Sequence, residues 1–149
     1  MKKENITSSS VQTKKLGEKF AREILKKKPK KKAFVIGLEG TLGAGKTTFI
    51  QGLAKGLGIR EKILSPTFVI MKKFDNFYHF DCYRSQKPKE LLDLGFKEII
   101  SNPKNIIAIE WADKIKKVMP KKTIWVKFEF VDEKTRKITI ENSTLDMLE

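Results

Sequence analysis

A chain of 149 residues is long enough for one domain with a real core, since a protein of that size buries roughly 70% of its unfolded surface. Hydrophobic residues make up 40% of it, and no apolar run approaches the about 18 residues of a membrane-spanning helix. The net charge is +14, and the single cysteine, Cys82, excludes an internal disulfide and a cysteine cluster for metal.

Residues 11–27 read as a helix. Leu16, Phe20 and Ile24 recur on one stripe, Ser10 is the N-cap candidate, and Pro29 ends the run. Residues 33–38 are a short apolar run of the kind buried on both faces of a sheet. Residues 48–57 carry Phe49, Ile50, Leu53, Ala54 and Leu57 on one helical face and stop at Gly58. Ser65 and Pro66 open a new segment. Residues 67–74 and 77–83 read as two strands joined by the tight turn Asp75-Asn76. Pro88 opens a short helix over 89–94, with Gly95 as its C-cap. Residues 105–110 form another buried-type strand, and 114–118 a helical turn before Pro120. Residues 124–131 alternate as a half-buried strand and pair with 136–141 across a turn at 132–135. The ends, 1–7 and 142–149, read as frayed parts of a single domain spanning 1–149.

Between the first strand and the second helix lies Gly40-Thr41-Leu42-Gly43-Ala44-Gly45-Lys46-Thr47, which fits G-x-x-x-x-G-K-[ST] at every fixed position. Glycines let the backbone curl so that successive N–H groups point at one set of phosphate oxygens. The following helix aims its N-terminus at the same place. Leu42, Gly43, Ala44, Gly45, Lys46, Thr47 and Thr48 are therefore the candidate nucleotide-binding residues. Lys46 is placed to reach the β and γ phosphates, and the Thr47 hydroxyl to ligate Mg²⁺. The expected architecture is α/β with a P-loop NTPase fold: a mixed, mostly parallel sheet, helices on both faces and an antiparallel hairpin.

A P-loop needs an acidic partner at the end of a neighbouring strand to hold Mg²⁺. Glu110 ends the aliphatic strand and takes that role. Asp81 ends the other candidate strand and takes the role of orienting the attacking water or acting as general base. Thr67 follows a proline, where such enzymes place a loop that senses the γ phosphate; a structural X-Pro turn is the competing reading. Trp111 either stacks on a base or caps the edge of the core. His79 reads as a sheet histidine ahead of a catalytic one. Cys82 reads as a small buried residue.

The 32 basic residues are 28 lysines and only four arginines. Arginine is the usual choice for bidentate phosphate contacts, so a solvated, lysine-rich surface is favoured over a nucleic-acid surface. The basic N-terminus leads into Ser8-Ser9-Ser10 and not into an apolar stretch, which argues against a secretory signal and for a cytoplasmic location.

Taken together, Gly40 to Thr48 with Glu39, Ser65-Pro66-Thr67-Phe68, His79-Phe80-Asp81-Cys82-Tyr83-Arg84, Glu90-Leu91 with Leu94-Gly95, and Ile109-Glu110-Trp111 resemble the bacterial TsaE family, over about residues 10–140. Thr13 with Leu16-Gly17 resembles that family's N-terminal helix. The resemblance implies an ATP- and Mg²⁺-dependent protein, a weak ATPase stimulated by its partner. That partner is a threonylcarbamoyl transferase complex, the transferase with its accessory subunit, which modifies adenosine 37 of tRNAs reading ANN codons. It implies contact with tRNA that is indirect or weak, and none with a membrane. It carries over Lys46 and Thr47 as phosphate and Mg²⁺ groups, Glu110 as a Mg²⁺ ligand and Asp81 as a catalytic carboxylate. Ser10, Thr13, Trp111 and Arg136 are carried over as residues at the nucleotide. Thr41 departs from the acid that relatives commonly have there, and Cys82 replaces a usual leucine. A small P-loop kinase of a nucleoside or metabolite is the alternative. It is disfavoured because four arginines and no long insertion leave little from which to build a phosphate-clamping lid. A GTPase is disfavoured by the lack of an Asn-Lys-x-Asp motif, and a nucleotide-gated binding module stays open.

Overall fold

The computed structural model describes residues 2–27, 31–40, 45–63, 71–83 and 87–141. Along the chain these form β1 (Lys2–Thr7), α1 (Ser10–Leu25), β2 (Phe34–Gly40), α2 (Lys46–Gly56), β3 (Met71–Phe74) and β4 (Phe77–Asp81). Then come α3 (Pro88–Asp93), α4 (Phe96–Ser101), β5 (Ile106–Glu110), a 3₁₀ segment (Ala112–Val118), β6 (Ile124–Phe130) and β7 (Arg136–Glu141).

The strands make one seven-stranded sheet in the order β1-β7-β6-β2-β5-β4-β3. Its centre is parallel: β2 lies between β5 and β6, and β4 adds to β5. The expected hairpin is present as antiparallel β3–β4, and a second one, β6–β7, continues the sheet at the other side. Asp75 turns the first hairpin at a positive φ of 53°, a conformation that Asp tolerates better than most residues.

Alternation along the central strands sends side chains to two cores. Ile36, Leu38, Ala108, Val126 and Phe128 pack under α1 and α2. Val35, Ile107, Ile109 and Trp125 pack under α3, α4 and the 3₁₀ segment. Helices thus cover both faces, as expected of buried parallel strands. On the first face α1 and α2 lie in close contact because glycine lets them. A Cβ at Gly52 would run into the Lys14 carbonyl, and one at Gly56 would come within 2.6 Å of the Ala21 Cβ. This contact fixes Thr13, early in α1, against Gly45 at the start of α2: a Cβ on Gly45 would lie 3.6 Å from the Thr13 methyl.

Three elements differ from the sequence reading. Residues 2–7 are not frayed: they form an edge strand in antiparallel register with β7, from Lys2↔Glu141 to Thr7↔Arg136. Its polar sequence carries no alternation to announce it, and the pairing partner lies at the far end of the chain. The N-cap of α1 is Ser9, whose hydroxyl accepts from the Gln12 N–H at 3.2 Å, with Ser10 the first helical residue. Gly95, expected as a C-cap, sits at φ 84° directly after Leu94 and also caps the N-terminus of α4, a helix that periodicity over six residues is too short to reveal. Pro29, Ser65, Pro66 and residues 142–149, expected to be frayed, lie outside the described residues.

Candidate functional site

The site is built where β2, β5 and β4 end side by side and α2 begins. Gly40 closes β2 at φ 142°, with its Cα so near β6 that a Cβ would lie 2.5 Å from the Phe128 carbonyl oxygen. Gly45 then starts α2 in the left-handed region at φ 99°. It brings no capping side chain to the first turn, so that end of the helix is favourable ground for an anion.

Lys46 and Thr47 follow at once. The Lys46 ammonium donates to the Gly40 carbonyl at 2.8 Å and lies 4.0 Å from the centre of the Trp111 ring, a cation–π contact. Its residue is 5% exposed. Burial pulls the ammonium below its ordinary range, opposed by the negative charge of Glu110, Asp113 and Asp81. The Thr47 hydroxyl donates to Glu110 Oε1 at 3.1 Å. Glu110 is buried, and its other oxygen, Oε2, lies 2.7 Å from His79 Nε2. Asp81 stands beside Glu110 in the β4–β5 ladder. Its Oδ1 accepts the Tyr83 N–H at 2.9 Å, which turns the chain away from the strand end.

Trp111 directly follows Glu110 at φ 59°, ψ 36°, a left-handed conformation that costs a bulky residue about 1–3 kcal/mol and is found mainly where function demands it. Its ring lies 5.1 Å from that of Tyr83, and the Lys114 ammonium, which donates to the Tyr83 carbonyl at 2.6 Å, lies 4.8 Å from the Tyr83 ring and 5.2 Å from the Trp111 ring. The sequence left base stacking and core capping open for Trp111. The structure puts the ring against Lys46 and also packs it, partly buried, against the second core.

On the other flank of α2 a cleft of about 600 Å³ is lined by Ser8, Ser9, Ser10, Thr13, Gly45, Thr48, Glu133, Lys134 and Arg136. That volume suits a small-molecule ligand. Thr13 in its lining shares a hydroxyl–hydroxyl hydrogen bond of 2.7 Å with Thr7 behind it. Its rim is the β6–β7 turn, where Arg136 donates to the Asp132 carbonyl at 2.6 Å and stacks on Phe130 at 4.7 Å.

Of the residues singled out in the sequence, Lys46, Thr47, Glu110, Asp81 and Trp111 thus converge at the strand ends. Ser10, Thr13, Gly45, Thr48 and Arg136 converge on the cleft beside them. Leu42, Gly43, Ala44, Thr67, Thr41 and Arg84 lie outside the described residues. Sequence reasoning missed Ser8, Ser9, Glu133 and Lys134 as cleft residues, although the serine run before a helix and the turn before Arg136 were both visible. It also missed the contact of His79 with Glu110, which are 31 positions apart.

The donors present fit the groups that a P-loop implies. Two oxygens, from Thr47 and Glu110, converge at one point, and Mg²⁺ is held by just such a small set completed by water and phosphate. Among the described residues no group of three or more His, Cys, Asp or Glu is placed to hold a metal by itself. No helix of the described residues is long and apolar enough to cross a membrane.

The sheet order, the Gly40 to Thr47 motif with β2 ending at Gly40 and α2 starting at Lys46, and the acid at the end of the neighbouring strand define an α/β protein of the P-loop NTPase fold. A family model described as "Threonylcarbamoyl adenosine biosynthesis protein TsaE" matches residues 7–138, and this chain belongs to that family. Proteins named "tRNA threonylcarbamoyladenosine biosynthesis protein TsaE" are similar to it. The one from Haemophilus influenzae is 37% identical over 121 residues, covering 78% of this chain and 75% of its own. That from Nostoc sp. is 42% identical over 123 residues (76% and 75%), and that from Rickettsia felis 36% over 154 (97% and 85%). The crystal structure of Bacillus subtilis YdiB superposes with a TM-score of 0.77 at 28% identity, covering 99% of this chain and 91% of that one.

Proposed function

We propose that this chain is an ATP-binding, Mg²⁺-dependent protein with weak ATPase activity of its own. It acts with a threonylcarbamoyl transferase complex in forming threonylcarbamoyladenosine at position 37 of tRNAs reading ANN codons. The observation that carries this reading is the 3.1 Å contact between the Thr47 hydroxyl and the Glu110 carboxylate, directly beside the buried ammonium of Lys46. Family membership supports the pathway.

In this reading Thr47 and Glu110 hold Mg²⁺, and the first turn of α2 with Lys46 holds the phosphates. The cleft of Ser10, Thr13, Thr48 and Arg136 takes the rest of the nucleotide. Bound Mg²⁺ supplies charge neutralisation at phosphate oxygens. Lys46 exchanges the Gly40 carbonyl for a phosphate oxygen, and a partly desolvated ammonium gains more from that anion than a hydrated one does. Asp81, steadied by the Tyr83 N–H, orients the attacking water. An arginine that meets the charge developing during transfer is worth roughly 10³–10⁵ in rate; Arg84, three residues past Asp81, is the nearest candidate and lies outside the described residues. Arg136 is engaged at the far rim of the cleft with the Asp132 and Thr135 carbonyls.

The reading is tested by expressing this chain in bacteria depleted of their own TsaE protein and measuring threonylcarbamoyladenosine in tRNA hydrolysates by mass spectrometry. Restoration by the natural chain and not by Lys46→Ala is expected. Failure of the well-expressed natural chain to restore the modification would contradict it.

A further inference from the structure

His79 has no exposed surface, in the middle of β4. Its ring nevertheless does more than fill space. Nε2 lies 2.7 Å from Glu110 Oε2, and the other oxygen of that carboxylate, Oε1, accepts from Thr47. One partner on each oxygen leaves the carboxylate a single orientation. The second ring nitrogen, Nδ1, is buried with no hydrogen-bond partner.

That asymmetry selects the tautomer. With the proton on Nε2, it is donated to a carboxylate and Nδ1 keeps only a lone pair. With a proton on Nδ1, a donor is buried unpaired, at a cost of roughly 1–3 kcal/mol. Glu110 depends on the contact as well: at 2% exposure its charge has left water, and a buried carboxylate needs hydrogen bonds in exchange.

We propose that His79 is the positioning residue of Glu110, its Nε2–H donating to Oε2 and so aiming Oε1 at the cation position beside Thr47, which sets how tightly the site holds Mg²⁺. This rests on the reading of Thr47 and Glu110 as Mg²⁺ ligands. Outer groups that orient a metal ligand commonly change metal affinity about 10–100-fold when removed.

His79 is the single histidine of the chain, so ring ¹⁵N signals from the histidine-labelled full chain report on it alone. The Nε2–H tautomer is expected, with the ring signals moving when Mg²⁺ is added to the ADP-bound protein. An Nδ1–H tautomer, or signals that respond to ADP and no further to Mg²⁺, would overturn the proposal. In parallel, ADP affinity is titrated with and without Mg²⁺ for the natural chain, His79→Leu, His79→Gln and Glu110→Ala. For His79→Leu, a roughly 10–100-fold loss of Mg²⁺ affinity with unchanged metal-free ADP affinity is expected, with partial recovery in His79→Gln, which restores a donor. Equal loss with and without Mg²⁺ would make His79 merely structural and overturn the proposal. If Glu110→Ala loses Mg²⁺ and His79→Leu does not, the proposal alone fails. If Glu110→Ala holds Mg²⁺ like the natural chain, the reading of Glu110 as a ligand fails, and the proposal with it.

Discussion

Thr47 and Glu110 stand 63 positions apart in the chain, and the hydroxyl of one donates to the carboxylate of the other at 3.1 Å. Parallel register of β2 with β5, Leu38 against Glu110, brings the second strand's end to the point where α2 starts. Removing the carboxylate in Glu110→Ala is expected to lower ATP turnover at least tenfold and abolish the gain in nucleotide affinity on adding Mg²⁺. Metal-free nucleotide binding should persist. Nucleotide titrations with Mg²⁺ and with EDTA check this, and an unchanged Mg²⁺ effect would remove Glu110 from the metal site.

Arg136 lines the cleft while holding the Asp132 and Thr135 carbonyls. Arg136→Ala is expected to weaken ATP binding about tenfold, on the order of 1.4 kcal/mol, with little change in turnover at saturation. A fluorescent-nucleotide titration measures it, and unaltered affinity would place the nucleotide elsewhere.

Closely packed α1 and α2 both line that cleft, through Ser10 and Thr13 on one and Thr48 on the other. In Gly52→Ala the added methyl meets the Lys14 carbonyl, and overpacking of this kind costs about 1–3 kcal/mol. For a chain of this size that is a fall in Tm of roughly 3–10 °C. Thermal unfolding followed by circular dichroism tests it; a Tm equal to the natural chain's would mean that the helices separate at no cost.

Cys82 has no exposed surface, and burial, with Asp81 and Glu90 adding to it, pushes its thiol up to about 12 from an ordinary value of 9.0. Between those values the unfolded chain has released a proton that the folded chain keeps. The stability this group contributes is therefore complete below pH 9 and lost as pH rises towards 12. At pH 8 the native protein is expected to react with a thiol reagent only on the timescale of unfolding, and promptly in denaturant. Immediate stoichiometric reaction without denaturant would show the thiol to be accessible.

What the sequence revealed depended on range. Signals complete within a dozen residues were legible: the apolar face of Phe49, Ile50, Leu53 and Ala54, the aliphatic run before Glu110, and the turn at Asp75-Asn76. Lys46, Thr47, Asp81 and Glu110 could be named because each lies at a fixed offset from a strand end, whereas Ser10, Thr13 and Arg136 were named only through the family resemblance. Edge strand Lys2–Thr7 was not legible, since its order comes only from pairing with a strand more than a hundred positions away. Nor was the bond from His79 to Glu110, because a strand histidine looks alike whether it faces a carboxylate or fills the core.

Phosphate release from ATP, measured for the chain alone and with its matching transferase complex, bears most directly on the central claim. The expected result is slow release alone, abolished in Lys46→Ala, and strong stimulation by the complex. Rapid release that the complex leaves unchanged, or none in either case with ATP bound, would contradict a partner-stimulated ATPase.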